Sequence, residues 1–151
     1  MKSGVLLVGL LLFAILSCNK DKFTTEPQVK VKSISPGTVS QGNIIELKGK
    51  FTDNEGDLDS IYIVYKWYNN TTVTRHDTDR YSAAALNLPT TIREGDILVQ
   101  YAYGQNIYPF KTLPGTPVAK DTTATFGLVL IDKAGHRSGY AESDKIRLKK
   151  N

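Results

Sequence analysis

Cysteine is nearly absent from this sequence. Cys18 stands alone, so no disulfide forms within the chain and no thiolate cluster can hold a metal. Histidine is scarce too: His76 and His136 are the only two, and neither belongs to an H-x-H or H-x-x-x-H pair. Solvated loops are their expected setting. No glycine-rich loop of the phosphate-cradling kind occurs. Ser138 lies near His136 but lacks the strand–nucleophile–helix elbow of hydrolases. These absences argue against an enzyme. Charge of one sign is not concentrated either. The net charge of +4 over 151 residues is dispersed, whereas nucleic-acid binding calls for a basic stripe. No nucleic-acid partner is expected. There is no internal repeat, and no amphipathic helical period after residue 18.

What is present begins with a leader. Lys2 supplies a positive start, and Val5 to Leu16 is apolar apart from Gly9. That run suits a helical signal peptide and is short for a membrane span of ~20 residues. It ends in Ile15-Leu16-Ser17-Cys18, which resembles the lipobox of bacterial lipoproteins, although Leu16 stands where a small residue is more usual. The resemblance implies cleavage before Cys18, diacylation of its thiol and acylation of its new amino group. Several acyl chains anchor a protein stably where one does so marginally. Residues 1–17 are therefore expected to be a signal peptide, and Cys18 the lipidation site through which the membrane is a partner. Residues 18–27 are polar and form a flexible tether. Asn19 is not the inner-membrane retention aspartate, so the expected location is the outer membrane, facing either the periplasm or the surface.

Residues 28–151 read as one all-β domain, with 40% apolar residues overall to build a core. The central stretch is Ile44 to Trp67, two β-branched and aromatic runs around an acidic, glycine-bearing turn, which is the pattern of two antiparallel strands. Alternation places Ile45, Leu47, Gly49 and Phe51 on one inner face, and Ile61, Ile63, Tyr65 and Trp67 on another. Gln28 to Ile34 reads as a lysine-edged first strand. Thr71 to Asp79 reads as a short edge strand followed by loop, after a turn at Asn69-Asn70. Tyr81 to Leu88 fits a strand or a helical turn. Ile97 to Tyr103 is a strand with Ile97, Val99, Tyr101 and Tyr103 on one face, and Thr122 to Ile131 is a strand with Phe126, Leu128 and Leu130 inward. Asp132 to Gly135 is a hairpin turn, and Ser143 to Lys149 closes the domain. Gly104 to Asp121, with three prolines, is the longest irregular stretch.

The segments Gly49 to Leu58 and Leu130 to Ser138, together with Trp67, resemble immunoglobulin-like and fibronectin-type-III-like domains of bacterial surface lipoproteins. That resemblance implies a two-sheet antiparallel immunoglobulin-like sandwich of about seven strands. It implies nothing about a ligand, because the architecture hosts unrelated functions.

Two places could carry binding. Asp53, Glu55, Asp57 and Asp59 surround Gly56 and could offer oxygen ligands to Ca²⁺. The spacing is not that of an EF-hand, since the twelfth residue is Val64. Turn chemistry, with carboxylates bonding nearby amides, accounts for the same residues and is preferred; no cofactor is expected. Asp132 joins this loop only if the two turns meet at one end of the sandwich. Tyr101, Tyr103, Tyr108 and Phe110, beside Gln105 and Asn106, could form a platform for a glycan or a protein segment. Alternatively the first two fill the core and the last two pin the loop. Tyr62, Val64 and Tyr68 form an outward apolar stripe, which is either covered or a contact surface. The expected function is a non-catalytic binding or adhesion module anchored in the cell envelope. The alternative is a structural or accessory subunit of an outer-membrane complex, docking through the Tyr62/Tyr68 face.

Overall fold

The computed structural model describes residues 25–89, 91–116 and 120–150. The leader and Cys18 lie outside them, as does Asn151. The described residues form ten strands: β1 (Gln28–Ser35), β2 (Thr38–Val39), β3 (Ile44–Thr52), β4 (Leu58–Asn69), β5 (Thr72–Ser82), β6 (Glu94–Tyr103), β7 (Lys111–Leu113), β8 (Thr122–Asp132), β9 (Ala141–Glu142) and β10 (Ile146–Leu148). One 3-10 turn, Ala84–Leu86, follows β5. A first sheet runs β1-β3-β6-β7; a second runs β2-β10-β8-β4-β5, with β9 added to β8. The chain is an all-β, two-sheet domain of the sandwich kind.

Period-two alternation decides the inside, because successive side chains point to opposite faces of a sheet. Ile45, Leu47 and Phe51 of β3, Ile61, Ile63, Tyr65 and Trp67 of β4, and Phe126, Leu128 and Leu130 of β8 are all buried. Tyr65, Tyr101 and Phe126 meet at the centre with ring centroids 6.0–6.3 Å apart. Trp67 is fully buried, with the Arg75 guanidinium 5.0 Å from its ring. Removing so large a buried ring would cost about 3–5 kcal/mol. Gly49 sits where the sheets close up: a Cβ there would come within 2.6 Å of Leu128 Cδ1.

Four expectations are corrected. First, the runs flanking the acidic turn are not neighbours in one sheet. β3 pairs with β1 and β6, whereas β4 pairs with β5 and β8. Alternation assigns a face to each strand but not a sheet. Second, the sheets are mixed rather than antiparallel, since β10 pairs with β2 and β6 with β7 in parallel. Third, three strands beyond seven are present. β2, β7 and β9 span only two or three residues, too short for alternation to register. Fourth, β5 is an eleven-residue edge strand, not a short one. It pairs along almost all of β4 after Asn70 turns the chain with φ 56°. His76 consequently lies on this strand, opposite Lys66, and not in a loop.

Candidate functional site

The crossing from β3 to β4 builds one end of the sandwich. Asp53, 1% exposed, organises it. Its carbonyl accepts the Gly56 N–H at 3.2 Å, its Oδ1 accepts the Glu55 N–H at 3.2 Å, and its Oδ2 accepts the Asp57 N–H at 3.0 Å. Gly56 takes φ +68°, the left-handed region that glycine enters without steric cost. Carboxylate acceptors for turn amides are the chemistry that aspartate brings to such turns.

The turn after β8 repeats the arrangement. Asp132, 2% exposed, accepts the Gly135 N–H at its carbonyl (3.2 Å) and the His136 N–H at Oδ1 (2.7 Å). Gly135 takes φ +89°. The two turns touch: Leu58 stands opposite Asp132 in the β4–β8 ladder, and the Lys133 N–H donates to the Asp57 carbonyl at 3.0 Å. Asp132 thus meets the acidic turn through the sheet that carries both.

At the junction the imidazole Nδ1 of His136 lies 2.8 Å from Asp132 Oδ2. The Asp132 side chain is fully buried, and that of His136 is 42% exposed. Glu55 reaches in from the other turn, and one ligand-type atom each from Glu55, Asp132 and His136 lie within 4.8 Å of one another. The hydrogen bond and charge of Asp132 hold the imidazole proton on, with help from Glu55 and Glu26, so the His136 pKa is raised above its ordinary 6.5. Asp57 Oδ1 is shut off from solvent and accepts no hydrogen bond among the described residues. The Ser138 Oγ accepts the Leu130 N–H and donates to the Gly139 carbonyl, both at 2.9 Å.

The four carboxylates of the acidic stretch do not converge on one point. Asp53 spends both oxygens on turn amides, and Asp59 lies on β4, where Arg80 pairs with it at 3.2 Å. Glu55 alone joins the imidazole cluster. His136 was missed as a site residue because no ligand spacing surrounds it. The available signal was the shared D-x-x-G pattern of residues 53–56 and 132–135.

The four aromatic residues split as well. Tyr101 and Tyr103 are fully buried core residues, not a platform. The Tyr101 hydroxyl donates to Asp79 at 2.9 Å, and Lys111 forms an ion pair with the same carboxylate. Burial, then the charges of Asp79 and Asp77, push the Tyr65 pKa to about 12. The Tyr103 hydroxyl donates to the Lys149 carbonyl at 2.9 Å. Tyr108 is 94% exposed and pins nothing. Phe110 is half-buried and lines an open groove of about 510 Å³ with Tyr81, Leu86, Leu98, Pro109 and Lys111. β7 pairs with β6 only at Tyr101–Tyr103, so Leu98, Val99 and Gln100 upstream also face this groove.

The Tyr62/Tyr68 stripe is partly roofed by cations. Arg80 lies 5.7 Å from the Tyr62 ring and Lys145 lies 4.6 Å from the Tyr68 ring. Beside them, Glu142 Oε1 accepts hydrogen bonds from Thr125, Lys66 and Tyr140 at 2.8–3.0 Å.

No protein-family model matches the sequence, and no curated protein matches it. Among solved structures, similarity extends to the alkylpurine DNA glycosylase AlkC of Pseudomonas fluorescens bound to DNA containing an abasic-site analogue (15% identity, TM-score 0.44). It extends also to the sporulation control protein Spo0M of Bacillus subtilis (10% identity, TM-score 0.44). A CARDB domain from Pyrococcus furiosus in complex with di-metal ions aligns at 10% identity with a TM-score of 0.29. The alignments cover 79%, 83% and 83% of this chain and 30%, 49% and 88% of those chains. The chain thus spans half or less of the first two, and likenesses at these scores carry no functional reading.

Proposed function

We propose that the protein is a non-catalytic binding module of the cell envelope, held at the outer membrane by lipid on Cys18 and carrying an immunoglobulin-like domain. The observation that carries this reading is the apolar leader ending in Ile15-Leu16-Ser17-Cys18, with the chain's one thiol at the lipobox position. Ser138 and the Asp53 carboxylate are engaged by backbone groups, which supports a role without catalysis. The groove beside Phe110 supports recognition. It is open, partly apolar and flanked by the β6 edge upstream of Tyr101, features that suit an extended peptide or a glycan. Leu98, 49% exposed, is an accessible apolar wall of it.

The test has two arms. Cys18→Ser should move the protein out of the membrane fraction; unchanged fractionation overturns the anchor. A photo-crosslinking residue at Leu98 should capture an envelope partner that the same residue at Tyr62 does not. Capture from Tyr62 alone would replace the groove reading with that of an accessory subunit docked through the opposite sheet.

A further inference from the structure

Glu55, Asp132 and His136 come from two turns that are far apart in the chain yet locked together by the Lys133–Asp57 backbone bond and the β4–β8 ladder. We infer that this junction binds a divalent first-row transition ion, with the imidazole nitrogen and one oxygen from each carboxylate as ligands. The ligand chemistry favours that class over Ca²⁺. Imidazole suits zinc, nickel, copper and iron, whereas Ca²⁺ wants six to eight oxygens. Three protein ligands also leave positions for water, as in open zinc sites.

The geometry fits. Metal–ligand bonds of about 2.0–2.2 Å put neighbouring ligands roughly 3 Å apart. The Nδ1–Oδ2 separation of 2.8 Å is already close to that value. Glu55 needs only a small swing, within the 4.8 Å span, and its side chain is exposed and free to make it. Asp132 cannot swing, because burial and the His136 N–H fix it; it is the rigid ligand.

The site does not depend on the lipid anchor or on the groove, so it stands or falls separately from the proposed function. The test is calorimetric titration of the untagged full chain in detergent with Zn²⁺, after EDTA treatment. Cys18→Ser is present in every sample so that the thiol cannot serve as a ligand. One Zn²⁺ should bind saturably, and equimolar Ca²⁺ should not displace it. Glu55→Gln and His136→Gln, both on accessible side chains, should each weaken binding by about tenfold or more. His76→Gln, on the exposed face of β5, should leave it unchanged. Absence of saturable binding overturns the inference. So does a His136→Gln variant that binds as tightly as the parent, or a loss that follows His76 instead.

Discussion

The two turns at this end of the sandwich are the same device put to different ends. Each begins with a buried aspartate, closes with a glycine of positive φ three residues later, and uses the aspartate side chain to hold the fourth residue's amide. In the first turn both carboxylate oxygens of Asp53 are spent on backbone N–H groups. In the second only one oxygen of Asp132 is spent so, and the other faces an imidazole. The Asp53 carboxylate is therefore closed to other partners. The second turn keeps one buried oxygen available, and Glu55 comes within reach of it. A turn's structural role and its capacity for a ligand are thus separated by the partner of a single oxygen.

Mutations that remove the shared parts should show this asymmetry. Asp53→Ala should have the largest effect, about 3 kcal/mol in urea unfolding, because two amide donors lose a buried charged acceptor. Asp132→Ala should cost less, about 2 kcal/mol, since one amide bond is lost and the imidazole can turn to water. Equal losses would erase the distinction. The glycines sharpen it further. An alanine at either position meets the ~1–2 kcal/mol penalty of the left-handed region. At Gly56 the added Cβ would also lie 3.1 Å from the Thr91 carbonyl oxygen, whereas at Gly135 nothing lies within 4 Å. Gly56→Ala should therefore be the more damaging of the two. His136→Gln should be the mildest change, visible mainly in its pH dependence. The raised pKa of His136 means that its contribution is fully present below pH 6.5 and fades as pH rises through the folded-state value. In metal-free buffer the parent should lose a small increment of stability across that window, and the variant should not.

Much of the architecture could be read from period two. The inward faces of β3, β4, β6 and β8 followed from alternation because burial of one face is what alternation records. Sheet membership did not, since a turn joining neighbours and a turn crossing between sheets use the same Asp, Asn and Gly. Tyr101 and Tyr103 share the inward face of Ile97 and Val99, so their burial followed from the strand; their use as a platform did not. The pairing of Asp132 with the acidic turn was legible only as a condition, because the meeting of the two turns is a tertiary fact. β5 was underestimated for a related reason. Thr72 to Asp77 is exposed except for a half-buried Arg75, and an edge strand packed mainly through its hydrogen bonds to β4 leaves little hydrophobic pattern.

The account rests on Glu55 and His136 sharing one site although they belong to different turns. The direct measurement is an NMR pH titration of the His136 ring in EDTA, on the parent and on Glu55→Gln. The parent ring should titrate above 6.5, and loss of the Glu55 charge should bring its midpoint down. A midpoint that Glu55→Gln leaves unchanged would mean that the two turns do not meet as described.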